Sequence, residues 1–436
     1  MKEWSFGHRP AWAVMPLVGL LLISCGGGGG GDTPEGTAPQ ISNLSVSPDT
    51  VFLREGDGTS AIAARMDFAD PDLDITKAWI QFHDGSRTSI ALPAINVPSG
   101  TLTGDLTVAN TELGTFTSQV WLEDAAGHSS NRLSVDVSVV VDTNTWLDRT
   151  PAGVNGLNDV VWNGSQFVAV GNGGVILTSP DGIAWTSRTS GSTRRLNGVS
   201  WDGSRFLVAG EAATVLSSPD GVSWTTLHIG SEEILLQAVS ASATRLVAAG
   251  VLSGPNTAYV LTSTDGLAWS PAPSVPQSGR SITGLAWSGQ LFVASTMASA
   301  FPNDGRLLVS QDGLTWTEVV ISADSPTTLC VIWDGSRFIA GGIGGRLFLS
   351  PDGTNWTPVY TPSTSSFLGI ASSDTILMAY GVVSSGAVTS DDGATWQTFY
   401  IGTDFSGGGL AWGNSRFVAV GSDGPGMDPG AIYTTR

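Results

Sequence analysis

Short apolar runs alternate with clusters of Gly, Asp, Asn and Ser along the chain, and no long stretch keeps apolar residues at i, i+3, i+4 and i+7. That pattern predicts strands joined by tight turns rather than a helical domain. From residue 143 onward it becomes a repeat. One copy reads Leu196-Asn-Gly-Val-Ser-Trp201-Asp-Gly-Ser-Arg-Phe206-Leu-Val-Ala-Gly210, followed by Thr214-Val-Leu-Ser-Ser-Pro-Asp220-Gly-Val-Ser-Trp224-Thr. Its Trp-x-Gly-Ser-x-Phe portion recurs at Trp162, Trp201 and Trp333, and more loosely at Trp287 and Trp412. Degenerate copies around Ser240 and Ala371 bring the number to seven.

Six copies continue into Ser-x-Asp-Gly-x-x-Trp, at Asp181/Trp185, Asp220/Trp224, Asp265/Trp269, Asp312/Trp316, Asp352/Trp356 and Asp392/Trp396. Successive Asp residues lie 39, 45, 47, 40 and 40 apart, a spacing suited to a four-stranded blade. The chemistry of the motif is that of a tight hairpin: the carboxylate accepts turn N–H groups, Gly tolerates positive φ, Ser adds a local hydrogen bond, and Trp folds back over the turn. The signature resembles the Asp box, the BNR repeat of sialidases and of propellers similar to photosystem II assembly factors. The resemblance covers residues 143–436 and implies a seven-bladed β-propeller. The seventh copy ends at Gly430-Ala-Ile-Tyr-Thr-Thr-Arg436 without an Asp box, whereas Thr145-Trp146-Leu-Asp-Arg-Thr150 resembles Trp185-Thr-Ser-Arg-Thr189. The expectation is that this early strand completes the last blade and removes an open sheet edge.

Residues 38–142 form a separate unit. Asn43–Ser47, Ile75–Phe82, Phe116–Leu122 and Leu133–Val141 read as strands between Asp/Gly/Pro/Ser turns, so a β-sandwich is predicted. The segments Asp67-Phe-Ala-Asp-Pro-Asp-Leu-Asp-Ile75 and Val120-Trp-Leu-Glu-Asp-Ala-Ala-Gly-His-Ser-Ser130 are similar to those of bacterial immunoglobulin-like domains. Asp70, Asp72 and Asp74 alternate with other residues and offer hard oxygen ligands for Ca²⁺, the one cofactor the residues suggest. The competing reading is a polar loop using Asp for turn hydrogen bonds.

The first 24 residues stand apart. Lys2 and Arg9 precede an apolar run from Ala11 to Ile23, too short to span a bilayer and suited to a signal-peptide core. Leu22-Ile23-Ser24-Cys25 resembles the lipobox of bacterial lipoproteins, which implies cleavage before Cys25 and its acylation. Residues 25–37 hold six consecutive glycines and read as a flexible tether. Residue 26 is Gly, not the Asp that retains such lipoproteins in the inner membrane, so an outer-membrane location is expected. Without Lys2, Glu3 and Arg9 the mature chain carries 17 basic and 37 acidic residues, net −20. That charge argues against nucleic acid as a partner. Cys330 is then the only cysteine besides Cys25, so no intrachain disulfide is expected, and its apolar setting suggests a buried thiol.

Candidate chemistry in the propeller is sparse. No Arg-Ile-Pro motif of sialidases occurs, and Arg205, Arg245, Arg337 and Arg416 share one repeat slot, reading as turn residues. Glu211, Glu232, Glu233, Asp304 and Asp404 are possible glycosidase carboxylates, but nothing in their spacing pairs two of them. His228 is the only propeller histidine, which leaves no multi-histidine metal centre. The blade slots absorb every propeller tryptophan, leaving none for an exposed stacking surface. Loops after the second strand and between blades vary in length, so a site is expected on that long-loop face around the central channel. The reading is an envelope-anchored, non-catalytic binding or assembly protein with an envelope or extracellular protein or glycan as partner. A sialidase-like or other glycan-active hydrolase is the alternative.

Overall fold

The computed structural model describes residues 36–52, 59–109, 113–142, 145–276, 279–298, 305–322, 327–381, 387–391, 393–399, 401, 405–423 and 429–435. Cys25, Asp392, Asp304 and Asp404 lie outside the described residues. Among the described residues the chain is all-β apart from a short 3₁₀ turn at Asn172–Gly174, and it divides into two compact units between residues 142 and 143.

The first unit contains two sheets. Gln40–Ser47, Thr59–Ala69 and Ser99–Ala109 form one. Thr50–Phe52, Leu133–Val140, Gly114–Asp124, Ile75–Gln81 and Arg87–Ala91, in that order, form the other. Ile41, Met66, Phe68 and Leu102 from the first sheet share a core with Ala78, Ile80, Val120 and Leu122 from the second. Each strand thus turns alternate residues inward, as period-two patterning requires.

The second unit is a β-propeller. Seven antiparallel sheets, each of four strands, follow one another along residues 157–188, 196–228, 234–271, 280–322, 328–360, 367–399 and 405–435, the last taking its fourth strand from Trp146–Asp148. In that seventh sheet Trp146 lies opposite Thr435, Leu147 opposite Thr434 and Asp148 opposite Tyr433. The first strand of each sheet runs beside the first strand of the next, and Leu157–Trp162 runs beside Phe405–Gly413.

Burial explains the sequence of each sheet. The second strands, such as Phe167–Gly171, Phe206–Gly210 and Phe338–Gly342, are buried at every position because a neighbouring sheet covers each face. A continuous apolar run is what such a strand needs. Fully burying Phe167, Phe206, Phe292, Phe338 or Phe417 contributes about 1.5–3 kcal/mol each. Fourth strands such as Thr186–Arg188 face solvent and are polar. The layers between sheets are separate small cores: Leu157, Val160 and Phe167 pack with Ala411, Val418 and Ile432 of the seventh sheet, whereas Val168 and Val170 pack with Leu196 and Phe206 of the second.

The shared arginine slot does more than shape turns. Arg416 and Arg245 lie against Gly182 and Gly313 of the following sheet, where a Cβ would meet the arginine Cδ at 3.0 Å. In the same slot Gln166 donates from Nε2 to the Asp220 carbonyl of the next sheet. Arg205 and Arg337 also pair with Asp202 and Asp334 in their own turns. The slot is thus a turn position that also joins sheet to sheet, and the second role is one that no single repeat displays.

Candidate functional site

The residues of the repeated Ser-x-Asp-Gly-x-x-Trp segments build the turns between third and fourth strands. In five copies, the Oδ1 atoms of Asp181, Asp220, Asp265, Asp312 and Asp352 each accept two backbone N–H bonds, from residues two and three further on, at 2.7–3.1 Å. The serine two residues before each Asp donates to the same Oδ1. Gly182, at φ 76°, occupies the left-handed region. Trp185, Trp224, Trp269, Trp316 and Trp356 fold back and donate from Nε1 to the carbonyl of the box glycine. Trp396 is also buried, but its Nε1 has no such partner. These polar atoms serve the turns and leave little for a ligand.

The first strands of all seven sheets line one cavity of about 420 Å³. Each of these strands carries a register shift, with extra residues such as Asn158, Asn197, Gln237, Thr283, Leu329 and Leu368 bulged out of the ladder. These bulged residues are among those that line the cavity, polar in the first four sheets (Asn158, Asn197, Gln237 and Thr283) and apolar in the next two (Leu329 and Leu368). Asn158 and Asn197 donate to the Leu196 and Leu236 carbonyls, and Thr283 to that of Thr328, stitching each sheet to the next. The cavity runs past Trp162, Trp333 and Trp412 to the short-turn end. Trp162, Trp333 and Trp412 thus belong both to their sheets and to the cavity wall.

Asp159 brings a carboxylate to this wall, and the sequence reading missed it. Its Oδ2 accepts the N–H of Val199 in the second sheet at 2.9 Å, and its Oδ1 the N–H of Val160 at 2.8 Å. Burial pushes the carboxyl up to about 7, against the lowering effect of those two N–H groups. The signal was present in the repeat: the equivalent positions are Gly198, Ala238, Gly284, Cys330, Gly369 and Gly409. A Cβ on Gly409 would stand 2.4 Å from Asp159 Oδ1, so the small slot in the seventh sheet makes room for the acid in the first.

On the long-loop face, Arg194 is ion-paired with Glu232. The Arg195 N–H donates to Glu211, and its guanidinium donates to Asn158 Oδ1 at 3.0 Å. His228 lies against Trp269, with ring centroids 6.2 Å apart. Cys330 is buried, and that burial pushes its thiol up to about 12.

In the first unit, Asp70, Asp72 and Asp74 come together, each contributing a carboxylate oxygen within 4.8 Å of the other two. Burial, and then the adjacent Asp72 carboxyl, pushes Asp70 up to about 6. Asp124 is buried beside them, with its two oxygens taken by the N–H and Nδ1 of His128.

No protein-family model and no curated protein matches this sequence. Solved structures do match it. The structure described as "YCF48 bound to D1 peptide" superposes at 17% identity with a TM-score of 0.52, over 68% of this chain and 98% of that one. The "WD40 beta propeller domain of Doa1" does so at 12% identity with a TM-score of 0.50, over 67% and 97%. At such identities the likeness is one of fold, and it is to β-propellers.

Proposed function

We propose that this chain is a non-catalytic binding or assembly protein of the cell envelope, held there by lipid on Cys25. In this reading residues 38–142 are an immunoglobulin-like spacer, and residues 143–436 are a seven-bladed Asp-box propeller closed by the strand around Trp146. The cavity carries the reading. It sets Asn158, Asn197, Gln237 and Thr283 on one side and Leu329 and Leu368 on the other. An extended protein segment presents amides and apolar side chains together, and such a divided wall suits it. The propeller in the YCF48 structure is bound to a peptide, which supports the same class of ligand here. Glu211 and Glu232 are engaged by Arg195 and Arg194, which supports recognition over hydrolysis. The lipobox-like run before Cys25 and the glycine at 26 support an outer-membrane anchor.

The test is photo-crosslinking from positions 197 and 329 of the intact lipoprotein in its native membrane, with exposed Leu267 as control position. A protein adduct at the cavity positions but not at 267 is expected, and Cys25→Ser should shift the chain to the soluble fraction. Adducts at 267 alone would overturn the binding site, and continued tight membrane association of Cys25→Ser would overturn the anchor. Catalytic release of sugar from a sialoside, abolished by Glu232→Gln, would place the chain among glycan-active hydrolases.

A further inference from the structure

We propose that Asp70, Asp72 and Asp74 of the first unit bind a Ca²⁺ ion. Their loop joins strand Thr59–Ala69 to strand Ile75–Gln81, and it brings one carboxylate oxygen from each residue within 4.8 Å of the others. Oxygens held at about 2.3–2.6 Å from one Ca²⁺ stand at most about 5 Å apart. One ion therefore reaches all three as they stand.

Asp70 is the decisive residue. It is fully buried, and its Oδ1 has no hydrogen-bond partner. A buried carboxylate oxygen without a partner is strongly disfavoured unless a cation compensates it. The Oδ1 atoms of Asp72 and Asp74 are likewise shielded and unpartnered. None of the ion pairs among the described residues brings Lys or Arg to this cluster.

The opposite edges of two of these carboxylates are fixed. Asp70 Oδ2 accepts the N–H groups of Asp74 at 2.8 Å and Ile75 at 3.2 Å, and Asp72 Oδ2 accepts those of Gly36 at 3.0 Å and Thr37 at 2.8 Å. An all-carboxylate set without His or Cys selects a hard cation. Mg²⁺ gives up its own water reluctantly, so the dry position of Asp70 favours Ca²⁺. Through Asp72 the ion fixes the point at which the chain leaves the glycine-rich segment and enters the domain.

The experiment uses the full chain in detergent, stripped with EDTA and titrated calorimetrically with CaCl₂ and, separately, MgCl₂. One equivalent of Ca²⁺ should bind with a Kd on the order of 10⁻⁴–10⁻³ M, the range of extracellular modules, and should raise the unfolding temperature of the first unit. Asp70→Asn keeps the acceptor for the Asp74 N–H but should weaken Ca²⁺ binding at least about tenfold. Asp72→Asn, at a half-exposed position, gives the same readout if Asp70→Asn does not fold, as judged by circular dichroism in EDTA. Absence of Ca²⁺ binding, preference for Mg²⁺, or unchanged affinity in Asp72→Asn and Asp74→Asn would overturn the assignment.

Discussion

Tyr380 fills the space that a side chain on Gly407 would occupy: a Cβ at 407 would stand 2.2 Å from Tyr380 Cε2. The ring comes from the sixth sheet and penetrates the seventh, where its hydroxyl lies 2.7 Å from the Val420 carbonyl and 3.1 Å from that of Gly409. Gly369 clears the other edge, since a Cβ there would lie 2.6 Å from Cε1. In other sheets the same slot holds Val170, Ala209, Ala249, Ser295, Gly341 and Val420. One large residue has replaced a small one, and glycines opposite accommodate it.

Gly407→Ala should therefore destabilise the propeller by about 1–3 kcal/mol through overpacking, or more if the strand cannot shift. Tyr380→Phe should cost about 1–3 kcal/mol, because buried carbonyls lose their donor. Thermal unfolding of both variants checks this. A Gly407→Ala protein that melts with the wild type would show that the ring is not confined there.

The strand Trp146–Asp148 ties the start of the propeller to its end. Trp146 stacks on Phe399 of the sixth sheet, with centroids 5.7 Å apart and planes 6° from parallel. Trp146→Ala should cost about 2 kcal/mol, below the 3–5 kcal/mol of a fully buried aromatic because the ring is half-buried. Deleting residues 143–150 should lower the melting temperature further, since it also bares the edge of strand Gly430–Thr435. If the deletion and the point variant melt alike, the strand contributes only its tryptophan.

The turn carboxyls of the Ser-x-Asp-Gly-x-x-Trp segments should make the propeller acid-sensitive. Asp220, Asp265, Asp312 and Asp352 are held below the ordinary carboxylate range, first by the N–H of the residue three positions on. At Asp181 burial opposes that lowering, but the N–H groups of Ile183 and Ala184 outweigh it. A depressed folded pKa contributes stability above the unfolded value of about 4, and this is lost as pH falls through the folded value. Replacing Asp220, Asp265 and Asp312 together by Asn keeps an acceptor in each turn and should flatten the loss of stability between about pH 4 and 2. An unchanged acid profile in denaturant titrations would assign the sensitivity to other groups.

How much of this was legible follows from distance along the chain. The turn chemistry was readable because Ser179, Asp181, Gly182 and Trp185 satisfy one another within seven residues, and the same local bonds recur from sheet to sheet. The pairing of Trp146 with strand Gly430–Thr435 has a local sign, because the residues around Trp146 match those around Trp185. The cavity wall was not readable. Which side chains enter it depends on bulges in the first strands, and a bulge leaves no mark on hydrophobic periodicity. Arg416 against Gly182, Tyr380 against Gly407 and Asp159 against Gly409 are contacts between sheets. Tyr380 and Asp159 break the pattern of small residues in their repeat slots, whereas Arg416 shares its slot with Arg205, Arg245 and Arg337.

Asp159 should respond to pH with the sign opposite to that of the turn aspartates. Its folded pKa of about 7 lies above the unfolded value of about 4, so the folded state holds a proton there that the unfolded state has released. Between those values stability falls as pH rises, and above about 8 the penalty is complete. Asn at 159 cannot ionise. It keeps one acceptor for Val199 or Val160 and gives up the other, which costs a constant amount at every pH. The stability of Asp159→Asn relative to wild type should therefore rise steadily from pH 4 to 8 and then level off, whatever its starting offset. Because the turn aspartates are common to both proteins, their contribution cancels in that difference. Parallel thermal melts across the pH range decide the matter: a difference independent of pH would mean that Asp159 is ionised in the folded cavity at pH 5, with the two N–H groups outweighing burial.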